Sequence, residues 1–313
     1  MLGPQHVGRR VVIRRFVGIR DDRPVFSDIL GRLVEATETH LTVRARSGAV
    51  RVPANEISRA KPVPDRRRFT PTEALEQAAA LGWPPKERAQ LGDWVLRATD
   101  GWTQRGNSAL TLGDPDLPVD AAIEAVEAWY RARNLVPAMS IPVPLFQRLD
   151  DELERRGWSA MPVTQVMTAP LPALLELDHT GIELATEPSA EWLTAVAGRK
   201  GPLPASARTV FTEVPAVRFG GWYDEHRTLL ATARGCVADP AGRWLGLSLI
   251  GVDEHFRRRG LAQRLIGALA TWAADLGARD AYLQVERRNE AAVALYTRLG
   301  FTVHHVYSSR RLL

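Results

Sequence analysis

The sequence predicts an α/β protein. We expect a mixed sheet flanked by helices in the C-terminal part, a related but altered half before it, and a small N-terminal β-barrel. Three observations support this prediction. A strand, a glycine-containing loop and a long helix follow one another over residues 243–277, one order of elements occurs twice after residue 70, and short extended segments fill the first 63 residues. The predicted domains are 1–63, 70–175 and 180–313, a division that suits a chain of 313 residues.

The composition is that of an ordinary globular protein, with 45% hydrophobic and 25% charged residues. Apolar stretches stay well below the roughly 18 residues that a membrane span needs, and the N-terminus has no signal-like apolar run. We therefore expect a cytoplasmic protein. The single cysteine, Cys236, excludes an internal disulfide, and we expect no metal site.

The first 63 residues contain extended segments separated by tight turns. They cover residues 11–16, 28–35, 40–46 and 50–53, and the third alternates with the period of a half-buried strand. About five short strands in so few residues favour a closed barrel, because closure removes exposed sheet edges. The pattern resembles the SH3-like and Tudor-like barrels, a fold that does not determine what is bound.

This N-terminal segment is strongly basic. Residues 1–68 hold 15 Arg and Lys against 7 Asp and Glu, a net charge of +8, whereas the whole chain has +5 and the remainder therefore −3. Two interpretations stay open: a solvated, arginine-rich surface, or a contact surface for an anionic partner such as nucleic acid. In the second case the contacts would be Arg10, Arg14, Arg44, Arg46, Arg66, Arg67 and Arg68.

Residues 61–69 have the proline and charge content of a linker. A helix is predicted to start immediately afterwards. Thr70 can serve as N-cap, Pro71 suits the first helical position, and Glu73 completes a capping box.

A weak internal repeat follows the linker. Residues 129–143 and 272–285 both read as the end of an amphipathic helix, a turn and a strand. Each is followed by a second helix ending in Gly plus an aromatic residue, over 149–158 and 291–301, and then by a strand, over 162–168 and 302–307. Equal order at similar spacing suggests two related halves, with residues 168–172 as the connector.

The most informative segment lies in the second half. A buried-strand pattern over 243–252 leads through a short turn to a glycine-containing loop, and a helix follows with apolar residues at helical spacing up to Gly277. A helix N-terminus with free backbone N–H groups binds anions, and the glycine lets a pyrophosphate approach closely. The residues of this predicted loop are Arg257, Arg258, Arg259, Gly260, Leu261 and Ala262.

The Arg-x-x-Gly-x-Ala spacing resembles the coenzyme A loop of the GNAT acetyltransferases. The downstream sequence strengthens the resemblance, since a strand over 281–285 precedes residues that match the Asn-x-x-Ala-x-x-Leu-Tyr-x-x-Leu-Gly-Phe pattern of that family. These are Asn289, Ala292, Leu295, Tyr296, Leu299, Gly300 and Phe301. The resemblance covers about residues 180–313 and is strongest over 245–301.

The resemblance implies an N-acetyltransferase that uses acetyl-CoA and transfers the acetyl group by direct attack of an amine, in a small molecule or a protein. Backbone groups near Leu249, Ile250 and Val252 would pair with the pantetheine arm. N–H groups from Arg258 to Ala262 would hold the pyrophosphate, with Arg257 beside them. Asn289 would bond near the pantetheine, and Tyr296 would bind the cofactor and protonate the leaving thiolate.

Simpler roles stay open for several of these residues. Asn289 can be an N-cap, Tyr296 a packed aromatic residue, and the arginines of the loop solvated. His304 and His305 are not expected to share a metal, because adjacent residues of a strand face opposite ways.

Two features depart from the family pattern. Residues 247–252 contain no acid for a general base; Glu213, Asp224, Glu225, Glu286 or a water relay could serve. The first half has aspartates over 114–120 in place of the loop. It therefore resembles a degenerate copy that lost the cofactor and walls the acceptor cleft, as in tandem members such as the mycothiol synthases. The alternative function is a non-catalytic acyl-CoA sensor that docks through its basic barrel.

Overall fold

The structure is a computed structural model that describes residues 2–20, 23–45, 48–63 and 69–313. Arg46, Arg66, Arg67 and Arg68 of the predicted basic surface lie outside these residues. The chain forms two compact units: one comprises Met1–Phe69, Leu91–Asp93 and Gly113–Ala125, and the other Thr70–Gln90, Trp94–Leu112 and Val126–Leu313.

The N-terminal unit contains an antiparallel sheet. Its strands are β1 (Arg10–Arg20), β2 (Arg23–Ala36), β3 (His40–Ala45), β4 (Gly48–Pro53) and β5 (Ile57–Pro62), in the spatial order β4-β3-β2-β1-β5. Alternate apolar side chains of these strands point to one face and form a buried core that includes Val11, Ile13, Leu33, Val43 and Val52.

The expected closure into a barrel is wrong. Within the described residues β4 pairs only with β3 and β5 only with β1, so the sheet is open with two edges. Both edge strands end in a proline, Pro53 and Pro62. Proline has no amide hydrogen to donate to a further ladder and is typical of edge strands.

The rest of the chain alternates helices and strands. Residues 70–175 contain α1 (Pro71–Leu81), β6 (Glu87–Leu91), β7 (Trp94–Ala98), β8 (Ala109–Leu110), α2 (Val119–Arg131), β9 (Ala138–Val143), α3 (Gln147–Arg155), β10 (Ser159–Ala160), β11 (Thr164–Pro170) and α4 (Pro172–Leu175).

Residues 180–313 contain β12 (Ile182–Ala185), α5 (Ala190–Lys200), α6 (Ser206–Thr212), β13 (Ala216–Tyr223), β14 (Leu229–Val237), β15 (Trp244–Val252), α7 (Leu261–Asp275), β16 (Asp280–Glu286), α8 (Glu290–Arg298) and β17 (Thr302–Arg311).

The predicted helix ends are confirmed by their hydrogen bonds. The Thr70 hydroxyl accepts from Glu73 N at 3.3 Å, and the Glu73 carboxylate accepts from Thr70 N at 2.9 Å, which completes the capping box at the start of α1. After α7, Gly277 has φ 87° and its N–H donates to Ala274 O at 2.8 Å. A left-handed glycine at this place ends a helix by satisfying its last carbonyl groups.

The second sheet mixes strands from both predicted halves. Its order is β12-β13-β14-β15-β16-β11-β17-β9-β8-β7-β6, with β10 paired to β17. Strand β11 of the first half lies between β16 and β17, and β17 in turn pairs with β9. The two halves therefore share one sheet by exchanging their last strands.

This exchange corrects one prediction about the chain path. Residues 168–172 were expected to connect the halves, but Thr168 to Pro170 belong to β11 and pair with Tyr282 to Asp280 of β16. The chain leaves the sheet only after Pro170, where the short helix α4 begins.

Helix α7 covers one face of the sheet and fixes the position of the loop before it. Its apolar side chains Leu265, Ile266, Leu269 and Ala273 are completely buried against β14 and β15. Across the described residues, no helix combines the length and apolar character that crossing a bilayer requires.

Candidate active site

Strands β15 and β16 run parallel and then separate. They pair from Trp244 and Asp280 up to Leu247 and Leu283, and no pairing continues between the remainders of the two strands. Each remainder stays paired on its outer side, β15 with β14 and β16 with β11. The sheet therefore opens at this point as a wedge with free backbone groups on its inner edges.

A bulge in β15 shapes one side of the wedge. The register with β14 shifts between Thr232 and Arg234, and Leu249 has φ 55°. The Thr232 hydroxyl donates to Leu249 O at 3.2 Å and holds the bulged conformation. Such a bulge redirects the strand and its side chains.

The wedge opens into a cavity of about 430 Å³. Leu249, Ile250, Asn289 and Tyr296 of the predicted site line it, but Val252 does not; Val252 lies farther along β15, opposite Ala231 of β14. The other residues around the cavity are Trp83, Trp102, Thr103, Gln104, Arg105, Thr164, Lys200, Leu247, Ser248, Leu283, Gln284, Val285, Glu286, Ala292 and Tyr307.

Tyr296 lies on α8 and reaches the cavity from within the core. Its side chain is buried, with its ring centre 5.9 Å from that of Phe301 in an edge-to-face contact. Burial raises the pKa of the Tyr296 phenol to about 12. The hydroxyl therefore keeps its proton at neutral pH, and packing and lining the cavity coexist in one residue.

Asn289 is the N-cap of α8. Its side-chain oxygen accepts a hydrogen bond from Ala292 N at 3.3 Å. The simpler role considered from the sequence is thus present, and the same residue also borders the cavity.

The predicted pyrophosphate loop lies at the start of α7 and is not part of the cavity lining. Arg258 and Gly260 have φ of 61° and 77°, both left-handed. The Arg264 N–H donates to Gly260 O at 3.0 Å. Among the described residues, the backbone N–H groups of Arg258 to Gln263, which precede it, have no backbone acceptor. Successive free N–H groups around left-handed residues form an anion-binding concavity.

The arginines of the loop are exposed. Arg257, Arg258 and Arg259 project to solvent, and the Arg259 guanidinium carbon lies 4.7 Å from the centre of the Phe256 ring. Leu261 is buried and anchors the first turn of α7 in the core, whereas Ala262 is half-buried.

A family model described as "Probable histone acetyltransferase Rv0428c C-terminal" matches residues 72–310. The chain belongs to this acetyltransferase family. Since the match covers both predicted halves, the shared sheet and the wedge belong to the family region of the chain.

Two relatives agree with this assignment. The probable histone acetyltransferase Rv0428c of Mycobacterium tuberculosis is 31% identical over 310 residues, which cover 96% of this chain and 93% of that protein. The uncharacterized N-acetyltransferase YobR of Bacillus subtilis is 31% identical over 248 residues, 76% of this chain and 98% of that protein.

A solved structure shows the same fold. The tandem GNAT protein from the clavulanic acid biosynthesis pathway superposes with a TM-score of 0.53 at 15% identity, over 79% of this chain and 89% of that chain. The chain therefore has the GNAT fold. Its family and relatives make it an acetyltransferase, that is, an acyltransferase enzyme, and the non-catalytic sensor alternative is not favoured.

The acid candidates of this acetyltransferase are dispersed. Glu286 lines the cavity and accepts from Arg288 Nε at 2.7 Å. Glu213 is exposed after α6, Asp224 accepts from the N–H groups of His226 and Thr228 in a turn, and Glu225 is exposed. The structure thus brings only Glu286 of these four to the cavity.

His304 and His305 do not face opposite ways as expected. Their Nδ1 atoms lie 2.9 Å apart because a register shift in β17 bulges the strand at His304. His305 Nε2 lies 2.8 Å from the Glu76 carboxylate, and both side chains are buried. Within the described ranges, no group of three or more potential metal ligands is present.

The sequence-based prediction missed the cavity residues of the first half. Trp83, Trp102 and Arg105 belong to the segments that follow α1 and precede β8. The only available signal was the occurrence of two tryptophans directly after glycines, in Gly82-Trp83 and Gly101-Trp102. Large aromatic side chains in turns need a surface to pack against, and here that surface borders the cavity.

The basic N-terminal surface is partly neutralised. Arg14 forms a two-bond ion pair with Asp28, at 2.8 and 2.9 Å. This pair joins β1 to β2, so Arg14 has a structural partner.

Proposed function

We propose that this acetyltransferase moves the acetyl group of acetyl-CoA to a primary amine by direct attack. The observation that carries the proposal is the separation of β15 from β16 beyond Leu247 and Leu283, which opens free strand edges into the cavity. An extended pantetheine arm can occupy such a wedge as an added strand, bonded to backbone groups near Leu249, Ile250 and Val252.

The nucleotide end would then lie at the start of α7. The free N–H groups from Arg258 to Ala262 and the positive end of the helix dipole suit a pyrophosphate. The exposed guanidinium groups of Arg257 and Arg259 add positive charge at the same place.

The chemical step needs no acyl-enzyme. The neutral amine attacks the thioester carbonyl carbon, a backbone N–H of β15 stabilises the oxyanion, and the carbon–sulfur bond then breaks. Tyr296 gives its proton to the departing thiolate, the surplus proton of the amine passes to water in the open cavity, and the Tyr296 phenolate regains a proton from that water. A phenol with a pKa raised to about 12 holds the required proton throughout the neutral range.

The proposed domains are 1–63, 70–175 and 180–313, with the second as a copy of the third that has lost the cofactor. Both contain a parallel strand pair followed by a helix and a strand, β8 with β9 and β15 with β16. In this arrangement the first half walls the acceptor side of the cavity, through residues such as Trp102 and Arg105.

The test is thiol release from acetyl-CoA in the presence of a panel of amines. Tyr296→Phe should lower kcat about 100-fold while the Kd of acetyl-CoA changes little. Tyr223→Phe is the matched control, because Tyr223 lies on β13 outside the cavity. Tight acetyl-CoA binding without release for any amine would contradict the proposal.

The pH profile gives an independent measurement. The phenol is competent while it is protonated, so kcat should show no loss attributable to Tyr296 up to pH 10, the ordinary pKa of tyrosine, and should fall only towards pH 12. A fall in kcat centred near pH 8 that disappears in Tyr296→Phe would contradict the assignment of Tyr296 as the acid.

A further inference from the structure

Arg105 gives the cavity an unpaired positive charge on the side formed by the first half. Its guanidinium carbon lies 5.2 Å from the centre of the Trp83 ring, and the side chain is half-buried. In the described part of the chain no carboxylate pairs with it. A guanidinium in this position presents several N–H donors to whatever enters the cavity.

Two further cations adjoin the same space. Lys200 lines the cavity at the end of α5. Arg234 is buried behind Ser248, a lining residue, with its Nη1 3.5 Å from the Ser248 hydroxyl. The Arg234 guanidinium bonds to the carbonyl groups of Phe211 and Gly82, and its Nη2 is buried with no hydrogen-bond partner among the described residues.

Two carboxylates lie near these groups, and each already has a partner. Glu76 lines a smaller cavity together with Arg105 and lies 2.8 Å from His305 Nε2. Of the acids in the described part of the chain, only Glu286 lines the cavity, and Arg288 already holds its carboxylate at 2.7 Å. Charges that face a partly enclosed space interact more strongly than charges in bulk water. The acceptor side of the cavity is therefore electropositive.

Trp83, the aromatic residue beside Arg105, is not free to bind a substrate cation. The Trp83 ring is already contacted by two guanidinium groups, at 5.2 Å from Arg105 and 5.6 Å from Arg234. Trp102 stacks on Trp83 with ring centres 5.9 Å apart. The Trp83 ring is thus already engaged with cations of the protein itself.

We infer that the acceptor is a small amine that also bears an anionic group, a carboxylate or a phosphate, which Arg105 binds while the amine reaches the thioester. The inference rests on the proposed acetyl transfer and names its substrate class. A lysine within a strongly basic peptide would meet like charge in this cavity, and each such contact disfavours binding.

The test compares matched amines that differ in one anionic group. β-Alanine is set against β-alaninamide, and phosphoethanolamine against ethanolamine, with a basic histone-tail peptide as the cationic acceptor. The expected result is a kcat/KM at least about 10-fold higher for an acid than for its neutral partner. Arg105→Gln should bring that ratio close to one without changing the KM of acetyl-CoA.

Arg88→Gln is the matched control, since Arg88 lies on β6 of the same half, is exposed and does not line the cavity. Lys200→Gln, at an exposed position, is a second variant, and it should lower the acid-to-neutral ratio of kcat/KM less than Arg105→Gln does. A preference for the neutral amines or the basic peptide would overturn the inference, and so would an unchanged ratio in Arg105→Gln. Those results would leave the proposed acetyl transfer intact. If no amine led to thiol release from acetyl-CoA, the proposed function itself would be overturned.

The same variant also distinguishes binding of the acceptor from binding of the cofactor. If Arg105→Gln raised the KM of acetyl-CoA and left the acceptor ratio unchanged, Arg105 would bind a coenzyme A phosphate, and the inference would be wrong.

Discussion

The two halves of the sheet contain the same kind of parallel strand pair, which is joined by buried hydroxyl groups in the first half and followed by a bulge in the second. In the first half Leu110 and Ser140 form the last pair of β8 and β9, and directly afterwards the Thr111 N–H and hydroxyl both donate to Ser140 O, at 3.2 and 3.1 Å. In the second half the pairing ends after Leu247 and Leu283, the Ser248 hydroxyl that follows contacts Arg234 of β14 at 3.5 Å, and β15 bulges at Leu249.

The difference shows how few side chains distinguish a structural copy from a site. Buried hydroxyl groups join the strands of the first half, where Ser108 and Ser140 also share a hydrogen bond of 2.8 Å. The second half instead has a bulge at Leu249, which redirects β15 away from β16. In the proposed function, one topology would therefore serve as wall or as cofactor wedge, depending on the residues after the last parallel pair.

The largest expected effect concerns the buried ion pair between Asp150 of the first half and Arg310 of the second. Asp150 of α3 accepts two hydrogen bonds from Arg310 of β17, both at 2.8 Å, and both side chains are 9% exposed. Asp150→Ala leaves the buried arginine with only the exposed Glu154 carboxylate, at 3.1 Å, and should lower the free energy of unfolding by about 3 kcal/mol. Chemical denaturation should show one shifted transition, because the halves share a sheet.

The control and the pH dependence sharpen this prediction. Glu187→Ala removes an exposed pair with Arg208 and should cost less than about 0.5 kcal/mol. Arg310 lowers the pKa of Asp150 below its ordinary 3.8, so the contribution is present above pH 3.8 and disappears as the pH falls further. The difference between wild type and Asp150→Ala should shrink accordingly; two transitions with only one shifted would contradict the shared sheet.

The next effect concerns the loop that only the second half has. Gly260 has φ 77°, where alanine is strained by about 1–2 kcal/mol. Gly260→Ala should therefore distort the proposed pyrophosphate site and raise the KM of acetyl-CoA about 10-fold, in steady-state kinetics. Gly277→Ala introduces the same kind of strain at φ 87° beyond the other end of α7 and should leave that KM unchanged. An equal KM for both variants would remove the loop from the cofactor site.

The smallest effect concerns the buried hydroxyl groups that join β8 to β9 in the first half. Thr111→Val removes a buried hydroxyl bonded to Ser140 O and should lower the free energy of unfolding by about 1 kcal/mol, with kinetics unchanged. Thr194→Val removes a similar hydroxyl-to-carbonyl bond on the exposed face of α5 and should cost much less. A fall in activity for Thr111→Val without a loss of stability would mean that the first half does more than wall the cavity.

Local features of the fold could be predicted from the sequence. The capping box at Thr70, the glycine beyond α7 and the strand before the loop depend on residues a few positions apart, so their signals survive without knowledge of the partner strands. Within the site, Leu249, Ile250, Asn289 and Tyr296, which the family resemblance assigned to the cofactor, line one cavity, and their binding roles stay predictions.

Long-range features of the fold could not be predicted from the sequence. The placement of β11 between β16 and β17 depends on pairing with residues more than a hundred positions later, and the connector prediction over 168–172 failed for that reason. The bulge at His304 follows from the register between β17 and β11. The N-terminal sheet has open edges because no ladder closes it among its described strands. The contribution of Arg105 required the fold to bring a distant segment to the cavity.

The exchanged strands also govern the order in which the molecule can assemble. On the ribosome β9 and β11 emerge long before residues 280–311, yet β11 finds both of its neighbours, and β9 one of its two, in that later segment. Unpaired strand edges recruit foreign strands, and pairing across long loops is slow. Each nascent chain therefore passes through a stage with three exposed edges, two of β11 and one of β9, and its yield depends on how long translation keeps it there.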